Sequence, residues 1–114
     1  MTIREIQTLL NADLLFGEEL LDVEIQSVFS ADMMSDVLAF GQPCSALLTG
    51  LCNPQVVRTA EMLDITCIIF VRGKIPDENI LTLARGKKMA ILATTYYMFT
   101  SCGILYESGL RGGD

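Results

Sequence analysis

Four short turns in this chain carry side chains that can do chemistry: Ser30-Ala31-Asp32, Thr49-Gly50-Leu51-Cys52-Asn53, Arg72-Gly73-Lys74 and Thr94-Thr95-Tyr96. Together they offer hydroxyls, glycine amides, two cations and an asparagine placed to open a helix. Such groups bind anions, because amides and cations converge on negative charge at helix starts and in backbone concavities. The candidate ligand contacts are Thr49, Gly50, Asn53, Arg72, Gly73, Lys74, Thr94 and Thr95. Each is also an ordinary cap or turn former.

Catalytic patterns are missing from the same stretches. TGLCNPQ lacks the second glycine and the lysine of a phosphate loop, and no GxGxxG occurs. The chain has no histidine, so no Ser-His or Cys-His pair is available. Asp32 and Asp36, four residues apart, would share a helix face and read as solvated. No enzymatic activity is expected.

The four cysteines, Cys44, Cys52, Cys67 and Cys102, have no CxxC spacing. A zinc site would need thiolates gathered from scattered elements, so no metal and no cofactor is expected. Cys44, Cys67 and Cys102 read as buried apolar groups. Cys52 precedes a helix start, a position that lowers a thiol pKa in principle, and is the candidate for a redox role.

The elements that must position these turns follow from hydrophobic pattern. Cys44–Thr49 and Cys67–Val71 are apolar runs without polar alternation, as strands covered on both faces require. Asn53-Pro54 between them starts a helix, with Asn as N-cap and Pro at the first helical position. Val56, Val57, Ala60 and Leu63 form its apolar face. The whole is a βαβ unit with an expected right-handed crossover.

Around this unit, Thr2 and Glu5 predict a capping box for a helix to Leu10, and 11–19 reads as irregular. The alternating segment 21–29 predicts a strand near an edge. Ser30 or Asp32 is expected to cap a helix that buries Met33, Met34, Val37, Leu38 and Phe40 and stops at Gly41. A helix from Pro76 to Gly86, a strand over Met89–Ala93, and a helix capped by Thr94 or Thr95 complete the order. Met98, Phe99, Cys102 and Leu105 are expected to face the core from that last helix. This alternation predicts a single α/β domain over 1–114: three layers with a four- or five-stranded, mostly parallel sheet. Residues 1–20 form its N-terminal helix and loop, and 111–114 a flexible tail.

Composition narrows the partners. The net charge of −6 and scattered basic residues argue against nucleic-acid binding. No apolar stretch reaches the ~18–20 residues that span a bilayer, and MTIREIQTLL lacks the apolar core of a secretory signal. A cytoplasmic protein without membrane contact is expected.

The stretch ALLTGLCNPQVVRTAEMLDITCIIFVRGKIPDENILTLARGKKMAILATTYYMFTSCGIL resembles the DRTGG domain family, over about Val23 to Leu110. Gly50 stands at the family's first turn and Gly73 at its second; Thr95, Phe99 and Thr100 match the last segment. Leu51-Cys52 stands where the family has Asp-Arg, and Val71-Arg72 where it has Thr-Gly. The resemblance implies a fold like the N-terminal domain of HPr kinase/phosphorylase. It also implies a noncatalytic accessory role: the family occurs beside CBS domains in regulated pyrophosphatases and within phosphotransacetylases. Similar stand-alone forms occur in anaerobic bacteria and archaea, some of them near iron-only hydrogenase genes.

Two functional readings lead. One is a regulatory module that senses a nucleotide or other small anion. The other is a dimerising module that docks on a larger enzyme, with Met33, Met34, Tyr97 and Tyr106 as spare apolar surface. A homodimer suits both. A redox accessory using Cys52 is third.

Overall fold

A computed structural model describes all residues from Met1 to Asp114. The three expected apolar runs form its centre: β3 (Ser45–Thr49), β4 (Cys67–Phe70) and β5 (Ala90–Ala93), every residue of which is buried. β2 (Ser27–Ser30) joins β3, and β1 (Asp13–Phe16) joins β5. The five-stranded sheet runs β1-β5-β4-β3-β2. Every pair is parallel except β1 with β5.

Helices α2 (Met34–Phe40), α3 (Pro54–Met62) and α4 (Glu78–Ala84) make the three parallel crossovers. Each crossover steps one strand in the same direction, so a common hand places all three helices on one face. There Val37, Val56, Val57, Ala60 and Ile80 meet Leu47, Ile68, Phe70 and Ile91. On the other face, Ile3 and Ile6 of α1 (Ile3–Leu9) and Leu105 of α5 (Met98–Glu107) pack on Ala46, Leu48, Ile69 and Leu92. Alternate residues of each strand supply the two cores, which is why the strands show no polar face.

Local capping follows the sequence at α1 and α3, while the caps expected for α2 and α5 are replaced by Met33 and Tyr97, neither with a side-chain bond. Thr2 and Glu5 close a capping box on α1 and Asn53 caps α3 ahead of Pro54, whereas α4, expected from Pro76, starts at Glu78 with Asp77 as its cap. Other departures come from pairing at a distance. Residues 13–16, expected to be irregular, form β1 against β5, with a register shift between Leu14 and Phe16. Gly17, with φ +95°, brings its backbone against Ala90; a Cβ there would lie 2.7 Å from the Ala90 Cα. The segment expected as a strand from Leu21 enters the sheet only at Ser27. Its first half bonds instead to the chain start, through Ile3 N–H to Val23 O, Arg4 N–H to Leu21 O and Ile25 N–H to Met1 O.

Several side chains expected inside lie outside. α5 starts at Met98, not Thr95, and buries Ser101 and Leu105, which turns Phe99 to solvent. Met34 and Val37 form the core side of α2, leaving Met33, Leu38 and Phe40 exposed; Met34 is therefore not spare surface. Of the cysteines only Cys67 is buried; Cys44 is exposed, at φ +58° in the turn before β3. The segment expected as a flexible tail bonds to the β2 edge through Val28 N–H to Arg111 O, and Gln42 Nε2 reaches Gly113 O at 3.3 Å. No helix is long and apolar enough to cross a membrane.

Candidate functional site

Because β2, β3, β4 and β5 are mutually parallel, the turns that follow them lie along one rim of the sheet. Open α/β sheets bind ligands at such a rim, in the crevice where neighbouring connections leave for opposite faces. Here that place is between β4 and β5: α4 packs on one face and α5 on the other.

The crevice is closed by its own backbone. Arg72 N–H donates to Tyr96 O at 2.8 Å, and Gly73 N–H donates to Thr94 O at 3.0 Å. Arg72 and Gly73 have φ of +63° and +72°, and Lys74 N–H returns to Val71 O at 3.2 Å. Two consecutive positive φ values in a four-residue turn are the mark of a type I′ geometry. Arg72 carries the steric cost of that conformation, which glycine escapes.

Thr94 is interior rather than a surface contact. Its buried Oγ1 donates to Leu10 O at 2.7 Å and accepts from Tyr96 N–H at 3.1 Å. Asn53 is also committed, since its side chain accepts from Gln55 N–H at 3.0 Å. Pro54 has no amide hydrogen, and Val56 N–H bonds to Asn53 O. The opening amides of α3, expected to face an anion, are thus satisfied within the helix start.

Thr49 and Gly50 are engaged by a residue absent from the candidate contacts. The Asp32 carboxylate accepts from Gly50 N–H at 2.7 Å and from the Thr49 hydroxyl at 3.2 Å, while Thr49 Oγ1 accepts from Leu51 N–H. Asp32 does not cap α2; Met33 holds that position with no side-chain bond. On the same glycine lies Arg72: a Cβ built on Gly50 would sit 2.6 Å from Arg72 Nη2. Neither Arg72 nor Lys74 takes part in any of the four ion pairs. Thr95 is exposed beside them. Thr49, Gly50, Arg72, Gly73 and Thr94 are thus linked by direct contacts, whereas Lys74, Asn53 and Thr95 border the cluster.

Exposed apolar side chains share the rim connections with these cations. Met33, Ile75, Tyr97 and Phe99, which are 64, 64, 69 and 90 % exposed, all sit in the rim connections or the first turn of α5. They are half of the large apolar side chains that the chain exposes.

Cys52 is half-buried, and burial pushes its thiol pKa up; nearby Lys74 opposes this and Asp77 adds to it. The net direction is upward, so the expected thiolate activation by the helix start is not realised. No group of three or more potential metal ligands is assembled. Thr49, Gly50 and Thr94 are buried and Arg72, Gly73, Lys74 and Thr95 exposed, and these candidate contacts line none of the five concavities. One concavity, about 360 Å³, lies at the opposite end of the strands between Leu20, Cys44, Asp64, Lys88 and Met89.

Comparison with known proteins gives one family and one informative structure. The DRTGG domain family matches residues 5–108, taking in α1 and β1 ahead of the stretch that carries the resemblance in the sequence. The solved structure contains the CBS and DRTGG domains of the regulatory region of Clostridium perfringens pyrophosphatase, complexed with the activator diadenosine tetraphosphate. It superposes with a TM-score of 0.78 at 19 % identity, covering 94 % of this chain and 46 % of that one. The present chain therefore spans about half the length of that solved chain and shares the fold of the part it covers. No curated protein matches the chain. With a five-stranded sheet carrying helices on both faces and a family match over nearly its whole length, the chain belongs to the DRTGG domain family.

Proposed function

We propose that this domain is a noncatalytic, cytoplasmic regulatory module that binds a nucleotide or similar small anion on the rim and passes the signal to a partner enzyme or a second copy. The observation that carries this reading is Arg72, whose guanidinium rests on Gly50 without a carboxylate partner. Lys74 adds a second unpaired cation, and Tyr97 and Phe99 offer exposed rings for stacking a base. An unpaired guanidinium held in place by a strained backbone is suited to bidentate phosphate binding. The pyrophosphatase regulatory region, in which this fold stands beside CBS domains and which is complexed with a dinucleotide activator, is a precedent for the fold within a nucleotide-responsive region. The test is thermal unfolding against a panel of mono- and dinucleotides. A ligand selective for the folded state at 100 times its Kd adds about 2.7 kcal/mol of stability, and Arg72→Ala should abolish the shift. No shift with any member of the panel would refute the reading.

A second reading, a docking or homodimerisation module without ligand, draws on the exposed Met33, Ile75, Tyr97 and Phe99. It predicts a dimer in light scattering at micromolar concentration that Phe99→Ser weakens. A monomer under those conditions would count against it.

A further inference from the structure

We infer that Asp32 is a built-in anion that holds the rim's own donors, so that the binding surface is gated by its own carboxylate. This rests on the reading of the rim as an anion site. Asp32 comes from the connection after the edge strand β2, yet its carboxylate reaches across to the β3–α3 turn. There it takes the Gly50 amide at 2.7 Å and the Thr49 hydroxyl at 3.2 Å through a single oxygen. Arg72 rests against the same glycine but forms no ion pair with Asp32.

An incoming phosphate oxygen in place of Asp32 would gain the same amide and hydroxyl, with the guanidinium beside it. It must first displace a carboxylate, and it feels that negative charge for as long as Asp32 stays near. Hydrogen bonds to an ionised acceptor are about twice as strong as neutral ones, so the internal carboxylate is an effective competitor. Asp32 is exposed, so the exchange exposes no buried charge. The consequence is a rim that responds only to ligands able to outbid Asp32, which biases it toward multiply charged anions.

The test is calorimetric titration of the full chain with inorganic pyrophosphate. Asp32→Asn keeps the shape and removes the charge; it should bind at least tenfold more tightly than the original protein. Asp32→Asn combined with Arg72→Ala should lose that gain. Asp36→Asn removes the same charge within α2 and should stay within twofold of the original. If the original protein binds pyrophosphate and Asp32→Asn binds no more tightly, the gate is wrong and the rim reading stands. If neither binds, both are wrong. An equal gain in Asp36→Asn would reduce the effect to net charge and overturn the gate. Should Asp32→Asn fold poorly, Asp32→Ser keeps a short uncharged acceptor and carries the same expectation.

Discussion

The guanidinium of Arg72 lies directly on the Cα of Gly50, so close that a methyl group on the glycine would meet Nη2 at 2.6 Å. The contact joins the β3–α3 and β4–α4 turns at a position of the first that has no side chain. Gly50→Ala should therefore push the guanidinium aside. Because the obstructing atom is the tip of a flexible side chain, stability should change by less than ~0.5 kcal/mol. The nucleotide- or pyrophosphate-induced shift in melting temperature should nevertheless fall. A large loss of stability without ligand would show that Gly50 serves the fold instead.

Arg72 adopts φ +63°, where a non-glycine residue costs about 1–2 kcal/mol. Arg72→Gly relieves that cost, whereas Arg72→Ala keeps it. Urea unfolding should find the glycine variant more stable than the alanine variant by up to ~1 kcal/mol, while both lose the ligand response. The opposite order would mean that the turn relaxes in solution.

Thr94 holds the rim to the far end of α1 through its bond to Leu10 O. Thr94→Val leaves that carbonyl and the Tyr96 amide without their buried partner. The expected cost is about 1–3 kcal/mol in denaturant unfolding, and Thr94→Ser should recover most of it. A neutral valine variant would show that water replaces the hydroxyl.

Complete burial pushes the Cys67 thiol from 9.0 up to about 12. Between these values the unfolded chain releases the proton and the folded chain keeps it. The unfolded state then binds fewer protons, so stability falls as pH rises above 9 and is intact below it. The slope from this group is at most about 1.4 kcal/mol per pH unit. Cys67→Ala should flatten the stability profile between pH 9 and 10.5. An unchanged slope would place its origin elsewhere.

Thiol labelling at pH 8 should follow exposure and ionisation together. Cys44 is exposed, Cys52 is half-buried with its pKa raised, and Cys67 is fully buried. A disulfide reagent should modify Cys44 first and Cys52 more slowly, reaching Cys67 only on unfolding. Faster labelling of Cys52 than of Cys44 would restore its redox candidacy.

What the sequence determined by itself is whatever depends on residues within a turn of one another. Thr2 with Glu5 and Asn53 with Pro54 act over one to three positions, and each forms the cap its sequence predicts. The unalternating runs at 45–49, 67–70 and 90–93 report burial on both faces without reference to any partner. The alternation of these runs with helices places four turns at one rim, because parallel strands end together.

Only the tertiary structure decided which groups on that rim are free. Asp32 and Gly50 are eighteen positions apart, and Thr94 and Leu10 eighty-four. No local pattern marks a carboxylate that, just ahead of a helix, bonds a neighbouring turn instead, or a threonine whose hydroxyl turns inward. β1 has no local signature for the same reason, since Asp13–Phe16 is a strand only by virtue of β5 beside it. Phe99 turns outward because Ser101 and Leu105 take the contact of α5 with the sheet. Hydrogen bonds and contacts across the sheet are set by the placement of whole elements, so donors read from sequence as a site became, in part, the fastenings of the fold.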